Sequence, residues 1–310
     1  MPKILVVGSI AMDLIVETEV FPSSGETIAG KMFQTAPGGK GANQAVQAAR
    51  LGVDVTMVGK VGQDDFGDTL LSALEASGVS TAHIAKNPAT STGIANILLE
   101  TDENGTKNRI IVVPAANMTI SYDDIAFLEK DITDYDMVIL QHEIPSEINK
   151  AVCEIAFKNN VPVMLNPAPA ADIPTEMLAG LAYISPNEHE AYLLTGVKIN
   201  IDNGVNLDDV KSAAQNLLAK GVKNVIITLG SNGASFMNGE EFIHLPCIDM
   251  GRVVDPTAAG DSFVGAFCYG VATDMTHSDA LTFANKIAGI TVTRMGAQPS
   301  LPTIEELKQS

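Results

Sequence analysis

Asp255-Pro256-Thr257-Ala258-Ala259-Gly260-Asp261-Ser262-Phe263 is the stretch that sets how the rest of the chain is read. A strand-like run, Arg252-Val253-Val254, leads into it, and an apolar helical pattern from Ser262 to Val271 leaves it. Between them lies a turn of small residues. Ala258, Ala259 and Gly260 have almost no side chain, so their backbone N–H groups, with that of Asp261, can point at a ligand. Unpaired N–H groups at a helix start form an anion site. Asp261 sets a carboxylate beside it. Such a group repels a resting phosphate but suits a base that takes a proton from a hydroxyl attacking phosphorus. Asp261 equally reads as a cap for the helix that follows.

Outward from this turn, short apolar runs alternate with helical patterns. Residues 4–7, 55–58, 137–140, 161–165, 183–185 and 225–229 read as buried strands. Helical stretches fall near residues 42–51, 65–77, 146–159, 208–220, 262–273 and 278–295. The alternation predicts an α/β fold: a mostly parallel central sheet with helices on both faces. Ligands of such sheets bind beyond the strand C-terminal ends. Residues 8–13 and 141–143, with Asn166, Asn187 and Gly230, should therefore converge. Two segments break the pattern. Residues 14–33 mix strand-like patches with polar turns. Residues 93–114 read as a hairpin around Asp102-Glu103-Asn104-Gly105. Neither can form a core alone. No repeat, low-complexity run or linker is evident, so residues 1–310 read as one domain with segments at about 14–35 and 92–114 inserted.

The 310 residues are 46% hydrophobic, enough for a sizeable core. With 19 Lys and Arg against 37 Asp and Glu, the net charge is −18. That argues against nucleic acid or an anionic membrane as a partner. A phosphate ligand stays possible, because backbone dipoles and a bound cation can make a local positive site. No apolar run reaches the roughly 18 residues of a membrane span, and the strand-like N-terminus has no signal-peptide pattern. Cys153, Cys247 and Cys268 are odd in number and lack metal-ligand spacing, so a cytoplasmic, reducing location is expected.

A second signal is Pro37-Gly38-Gly39-Lys40-Gly41-Ala42-Asn43-Gln44-Ala45. Three glycines in four residues let the backbone turn sharply and approach a ligand closely. Asn43 falls in the first turn of the next helix, where its amide can reach ligand hydroxyls. By itself the stretch also reads as a plain turn before a core helix. It is not a Walker A loop, since Gly-Ala follows the lysine. A dinucleotide-binding oxidoreductase would share the alternation, but it needs Gly-x-Gly-x-x-Gly after the first strand. Gly8-Ser9-Ile10-Ala11-Met12-Asp13 does not fit that pattern.

Together the two glycine motifs resemble those of the ribokinase (PfkB) family of sugar kinases, from Gly8-Ser9 to Gly296-Ala297-Gln298-Pro299-Ser300. The resemblance implies ATP-dependent phosphorylation of D-ribose at its 5-hydroxyl. Asp261 would be the base, and the turn of Ala258, Ala259, Gly260 and Asp261 the anion hole. Ala11, Met12, Asp13, Gly38, Gly39, Lys40, Asn43 and Glu143 would surround the sugar together with Asp261. ATP would lie on Asn187, Thr228, Leu229, Gly230, Ser231, Asn232, Gly233, Gly260, Asp261 and Asn285. The inserted segments would form a β-lid that closes over the sugar and joins two subunits as a homodimer. Mg²⁺ would be held through water by Asn187 and Glu190, a pair that also reads as a capping box. Potassium would sit among oxygens of Asp255, Thr257, Thr291, Arg294, Gly296 and Ser300. Taken without the family pattern, Asp13 is a turn Asp after a strand over residues 4–10, and Lys40 is as readily a solvated lysine as a ligand contact.

The chain departs from the family pattern at three positions. Ala11 stands where the family usually has Asn, which makes 2-deoxyribose an alternative sugar. Pro256 replaces a common Thr. His142 replaces an apolar residue and reads as a packed or surface side chain. A sugar-sensing relative without activity would have lost the base or the anion turn, and both Asp261 and Gly260 are present.

Overall fold

The computed structural model describes residues 1–102, 105–201 and 204–308. Glu103 and Asn104, at the tip of the expected hairpin, lie outside the described residues. The strands in chain order are β1 (Lys3–Val7), β2 (Ala11–Thr18), β3 (Met32–Gly38), β4 (Asp54–Gly62), β5 (Val79–Asn87), β6 (Gly93–Asp102), β7 (Gly105–Val113), β8 (Met137–Leu140), β9 (Val163–Leu165), β10 (Tyr183–Ile184), β11 (Asn224–Thr228), β12 (Ala234–Met237) and β13 (Phe242–Leu245). The longer helices are α1 (Lys40–Arg50), α2 (Asp65–Ala76), α3 (Ser146–Lys158), α4 (Glu188–Thr195), α5 (Leu207–Ala219), α6 (Ala259–Ala272) and α7 (His277–Thr291).

Ile4, Leu5, Val6 and Val7 of β1 are all fully buried. A strand covered on both faces has no polar side, which is why it reads as a continuous apolar run. β1 lies between β8 and β4, parallel to both. Among the described residues the sheet has nine strands in the order β13-β12-β11-β10-β9-β8-β1-β4-β5, and only β12 and β13 run antiparallel to their neighbours. One apolar layer packs Val46, Phe263, Phe267 and Leu281 on one face. The other packs Leu128, Val152, Val210 and Leu217 on the opposite face.

The helices that follow the two glycine motifs touch directly. A Cβ on Gly265 of α6 would lie 2.8 Å from the carbonyl oxygen of Gln44 in α1. Small residues on both helices (Ala42, Ala45, Gly265, Ala266) allow this approach. Two motifs more than 200 residues apart in sequence are thereby fixed side by side.

The smaller sheet has the order β3-β2-β6-β7. β2 runs antiparallel to β3 and parallel to β6. Among the described residues this sheet carries a small apolar cluster of its own, Ile15, Ala36 and Ile97. Phe33, Ile111 and Val112 are exposed elsewhere on it, at 65%, 61% and 52%.

Several boundaries differ from the sequence reading. The first strand ends at Val7, as the apolar run 4–7 predicts and short of the residue 10 reached by the longer reading, and the chain crosses into the small sheet at Ala11. Asp13 therefore sits within a strand, not in a turn. Residues 252–254 form no strand. The N–H of Val254 instead bonds the carbonyl of Val292 at 2.8 Å, tying the loop to the end of α7. The helix expected from residue 262 already begins at Ala259, and the one expected to reach residue 295 ends at Thr291. β5, β12 and β13 go beyond the sequence reading: β5 and β13 are partly exposed edge strands, and β12, though buried, is a four-residue run interrupted by Ser235.

Candidate active site

Asp261 is in the first turn of α6 and only 7% exposed. It does not cap the helix. Ala258 holds the N-cap position in a left-handed conformation (φ 59°), which is strained for a residue with a side chain. The oxygens of Asp261 turn instead toward α1. Oδ2 accepts from Asn43 Nδ2 at 2.9 Å, and Oδ1 accepts from Gln44 Nε2 at 3.0 Å.

The N–H groups of the turn can be accounted for one by one. That of Ala259 bonds Pro256 O at 3.2 Å, so this member of the expected anion hole is already occupied. The N–H groups of Ala258, Gly260 and Asp261 have no partner among the described residues. A Cβ on Gly260 would meet nothing within 4 Å. The turn thus opens onto space, as an anion site requires.

Asp13 of β2 is 6% exposed. Burial, together with the negative charges of Asp261, Glu143 and Asp255, pushes its pKa up to about 7. Gly38 makes room for it, since a Cβ there would lie 2.5 Å from Asp13 Oδ2. Glu143 Oε2 accepts from Ser9 Oγ at 2.5 Å and from the Lys40 N–H at 3.3 Å. The Lys40 side chain is no solvated surface lysine. Burial lowers its pKa, but Asp261, Glu143, Glu190 and Asp13 outweigh that and hold it above its ordinary value. Ala11 pairs with Gly38 and Gly93 in the small sheet, and Met12 is 2% exposed with its side chain in the core. Met12 can therefore offer a ligand only its backbone. His142 packs against Pro169 O at 3.2 Å, and burial lowers its pKa.

A polar cavity of about 240 Å³ is lined by Lys40, Asn166, Asn187, Glu190, Gly260 and Asp261. A larger cavity of about 530 Å³ adjoins it, sharing Asn187, Thr228, Ala259 and Gly260. Its other walls include Gly230, Ser231, Gly233 and Asn285, with the apolar surfaces of Val253, Phe263 and Val292. Asn285 Nδ2 is buried without a partner among the described residues, which fits a ligand acceptor. Leu229 is turned into the core at 1% exposure, and Asn232 is not part of the cavity wall. The apolar walls escaped the sequence reading because they come from helix interiors and a loop with no motif.

Asn187 and Glu190 do form a capping box: Glu190 N donates to Asn187 Oδ1 at 2.8 Å, and Asn187 N donates to Glu190 Oε2 at 2.9 Å. Burial raises the Glu190 pKa despite the Asn187 N–H and Lys40. Glu190 lines the polar cavity, and a hydrated cation needs few protein carboxylates. No group of three or more His, Cys, Asp or Glu is placed for a metal among the described residues. Asp255 accepts from Thr257 N and Gly296 N, each at 2.9 Å, and so joins the anion turn to the C-terminal loop. The monovalent cation expected here would have to share Asp255 with these two N–H donors. The Arg294 side chain reaches away to Glu306 at 3.1 Å, which leaves only its carbonyl for such an ion.

A helix start ready for an anion, facing a polar pocket at the C-terminal edge of a parallel sheet, defines a phosphotransferase for small hydroxylated molecules. The chain belongs to the pfkB family of carbohydrate kinases, whose family model matches residues 1–304. It is 42% identical over 319 residues to the ribokinase of Schizosaccharomyces pombe, covering 100% of this chain and 98% of the relative. It is 34% identical over 307 residues to the deoxyribokinase of Salmonella typhi, covering 99% of this chain and 97% of that one. Its structure resembles Arabidopsis thaliana ribokinase complexed with ribose and ATP, with a TM-score of 0.89 at 35% identity, covering 99% of this chain and 98% of that one.

Proposed function

We propose that this protein transfers the γ-phosphoryl group of ATP to the 5-hydroxyl of D-ribose, giving D-ribose 5-phosphate and ADP. One observation carries the reading: the Asp261 carboxylate, held by two amides, lies beside unoccupied N–H groups that open onto a cavity. Asp261 takes the hydroxyl proton as the sugar oxygen bonds to phosphorus and the bond from phosphorus to the ADP oxygen breaks. The N–H groups of Ala258, Gly260 and Asp261, with Lys40, stabilise the charge on the phosphoryl oxygens. The sugar lies against Asp13, Gly38, Gly39, Asn43 and Glu143. The nucleotide takes the larger cavity, with Thr228, Gly230, Ser231, Gly233 and Asn285 on its walls.

Mg²⁺, held through water by Glu190 and Asn187, would neutralise phosphate charge. Potassium among oxygens of Asp255, Thr257, Thr291, Arg294, Gly296 and Ser300 would order the anion turn. The small sheet would close over the sugar and exclude water. Its exposed Phe33, Ile111 and Val112 support pairing with a second copy. The whole chain then acts as one domain with an inserted lid, working in the cytoplasm.

Ala11 favours a second reading. With only a methyl group there, no side-chain amide can bond the 2-hydroxyl, and 2-deoxy-D-ribose becomes the competing substrate. The deciding experiment measures initial rates with ATP and Mg²⁺ for the two sugars, each in K⁺ and in Na⁺. Ribose preference with K⁺ stimulation is expected. A deoxyribose preference makes Ala11 the specificity residue, and turnover of neither sugar overturns both readings.

A further inference from the structure

Gln44 is fully buried, yet it touches three polar groups from distant parts of the chain. Its Nε2 donates to Asp261 Oδ1 at 3.0 Å and to Asn166 Oδ1 at 3.1 Å. Its Oε1 accepts from Gln141 Nε2 at 2.7 Å. The direction of these bonds is set from both ends. Asn166 Nδ2 donates to the Ser185 carbonyl at 2.9 Å, which only accepts, so Asn166 must present its oxygen to Gln44. An ionised Asp261 also only accepts. Flipping the Gln44 amide would set oxygen against two oxygens and nitrogen against a donor. Gln141 is clamped in turn: a Cβ on Gly8 would lie 2.0 Å from its Oε1. Gly8, just after β1, thus makes room for the amide that orients Gln44.

We infer that Gln44 is a positioning residue for phosphoryl transfer: its amide, oriented by Gln141 and Asn166, aims the Asp261 carboxylate at the sugar hydroxyl. This rests on the kinase reading above. Asn43 and Gln44 grip opposite oxygens of one carboxylate, but their roles diverge. Asn43 is 5% exposed, with Oδ1 lacking a partner among the described residues, so it can exchange its bond to Asp261 for one to an arriving ligand. Gln44 has no exposed surface and no hydrogen left for a ligand. Its bond to Oδ1 persists through turnover and leaves Oδ2 as the oxygen that meets the sugar. A misplacement of about 1 Å at a reacting group lowers rates by up to roughly 10²-fold.

The test compares wild type with Gln44→Met, which keeps the shape without the donors, and Gln44→Glu, which faces Asp261 with a second carboxylate. Each is assayed with whichever of the two sugars the wild type turns over. Gln44→Met is expected to lower kcat about 10- to 10²-fold, with both KM values within about threefold and ADP affinity unchanged by calorimetry. Gln44→Glu is expected to move the acid limb of the kcat–pH profile upward by about one unit or more, because two facing carboxylates share a proton. Asp13 on β2 and Lys40 at the start of α1 act on Asp261, and Glu143 after β8, Glu190 on α4 and Asp255 before α6 act on one or other of that pair. They are the same in all three proteins, so the displacement reports Gln44. An unmoved acid limb, or kcat within about twofold of wild type in Gln44→Met, overturns the inference. So does a loss carried equally by KM and by the thermal midpoint, which would mark a merely structural residue. If Gln44→Met fails to fold, the acid limb of Gln44→Glu decides. A wild type active only on 2-deoxyribose refutes the ribose reading and leaves this comparison intact.

Discussion

Two buried carboxylates, close enough to repel each other, are treated in opposite ways. Asp261, at the start of α6, has both oxygens paired with amide donors. Asp13, on the small sheet, receives no hydrogen bond from any described residue, and burial with like charges pushes its pKa up to about 7. The first is preorganised within the rigid sheet-and-helix body. The second is left unsatisfied until something supplies donors, and sugar hydroxyls would do so. Rigidity belongs where a proton moves, and unmet bonding capacity belongs where a ligand arrives.

The largest effect should come from removing the paired carboxylate. Asp261→Ala is expected to lower kcat by about 10²-fold or more, with ADP affinity and the unfolding midpoint close to wild type. Near-normal turnover would remove Asp261 from the role of base. Asp13→Asn should act on the other side of the comparison, raising the sugar KM about 10- to 10²-fold, as charge-assisted bonds become neutral ones, while kcat at saturating sugar changes less. An unchanged KM would mean the sugar does not rest on Asp13.

The two glycine turns sharpen the contrast. A Cβ on Gly41 would lie 2.7 Å from the backbone nitrogen of Ser9, whereas one on Gly260 meets nothing. Gly41→Ala should therefore destabilise by about 1–3 kcal/mol, visible as a lower urea midpoint. Gly260→Ala should leave stability unchanged or raise it by up to about 1 kcal/mol, since alanine favours helix, and should still lower kcat because its methyl enters the anion turn. Equal loss of stability in both variants would erase the distinction between a packing glycine and a ligand-facing one.

Much of this was legible from the residues because the signals are local. The alternation of apolar runs, both glycine turns and the carboxylate of Asp261 each lie within about ten residues, where period and turn chemistry operate. What escaped depends on partners far along the chain. Gln44 looked like one more helix residue, since its bonds to Gln141 and Asp261 span 97 and 217 positions. Met12 and Leu229 belong to motifs by sequence, yet the fold turns their side chains into the core. Arg252-Val253-Val254 has strand propensity, but the N–H of Val254 goes to the carbonyl of Val292, and tertiary context decides against a strand.

The last expected effect tests the comparison without any substrate. An acid whose folded pKa is raised contributes stability that is fully present below its unfolded value and is lost as pH rises through the folded value. For Asp13 that window runs from its ordinary value of 3.8 to about 7. Ionising it inside the unliganded protein is thus unfavourable, and Asp13→Asn removes that burden. The variant should match wild type near pH 4 and become more stable as pH rises, by on the order of 4 kcal/mol at pH 8. Shifted groups common to both proteins, such as Glu190 and Asp64, cancel in the difference. Urea unfolding of both proteins without ligand at pH 5, 6, 7 and 8 measures it. Parallel curves would mean that Asp13 is already neutralised in the free protein, and the contrast with Asp261 would then lie in geometry alone. A gap that widens with pH and narrows when saturating sugar is added would show that the ligand supplies the donors Asp13 lacks, because binding stabilises only the protein whose carboxylate it satisfies.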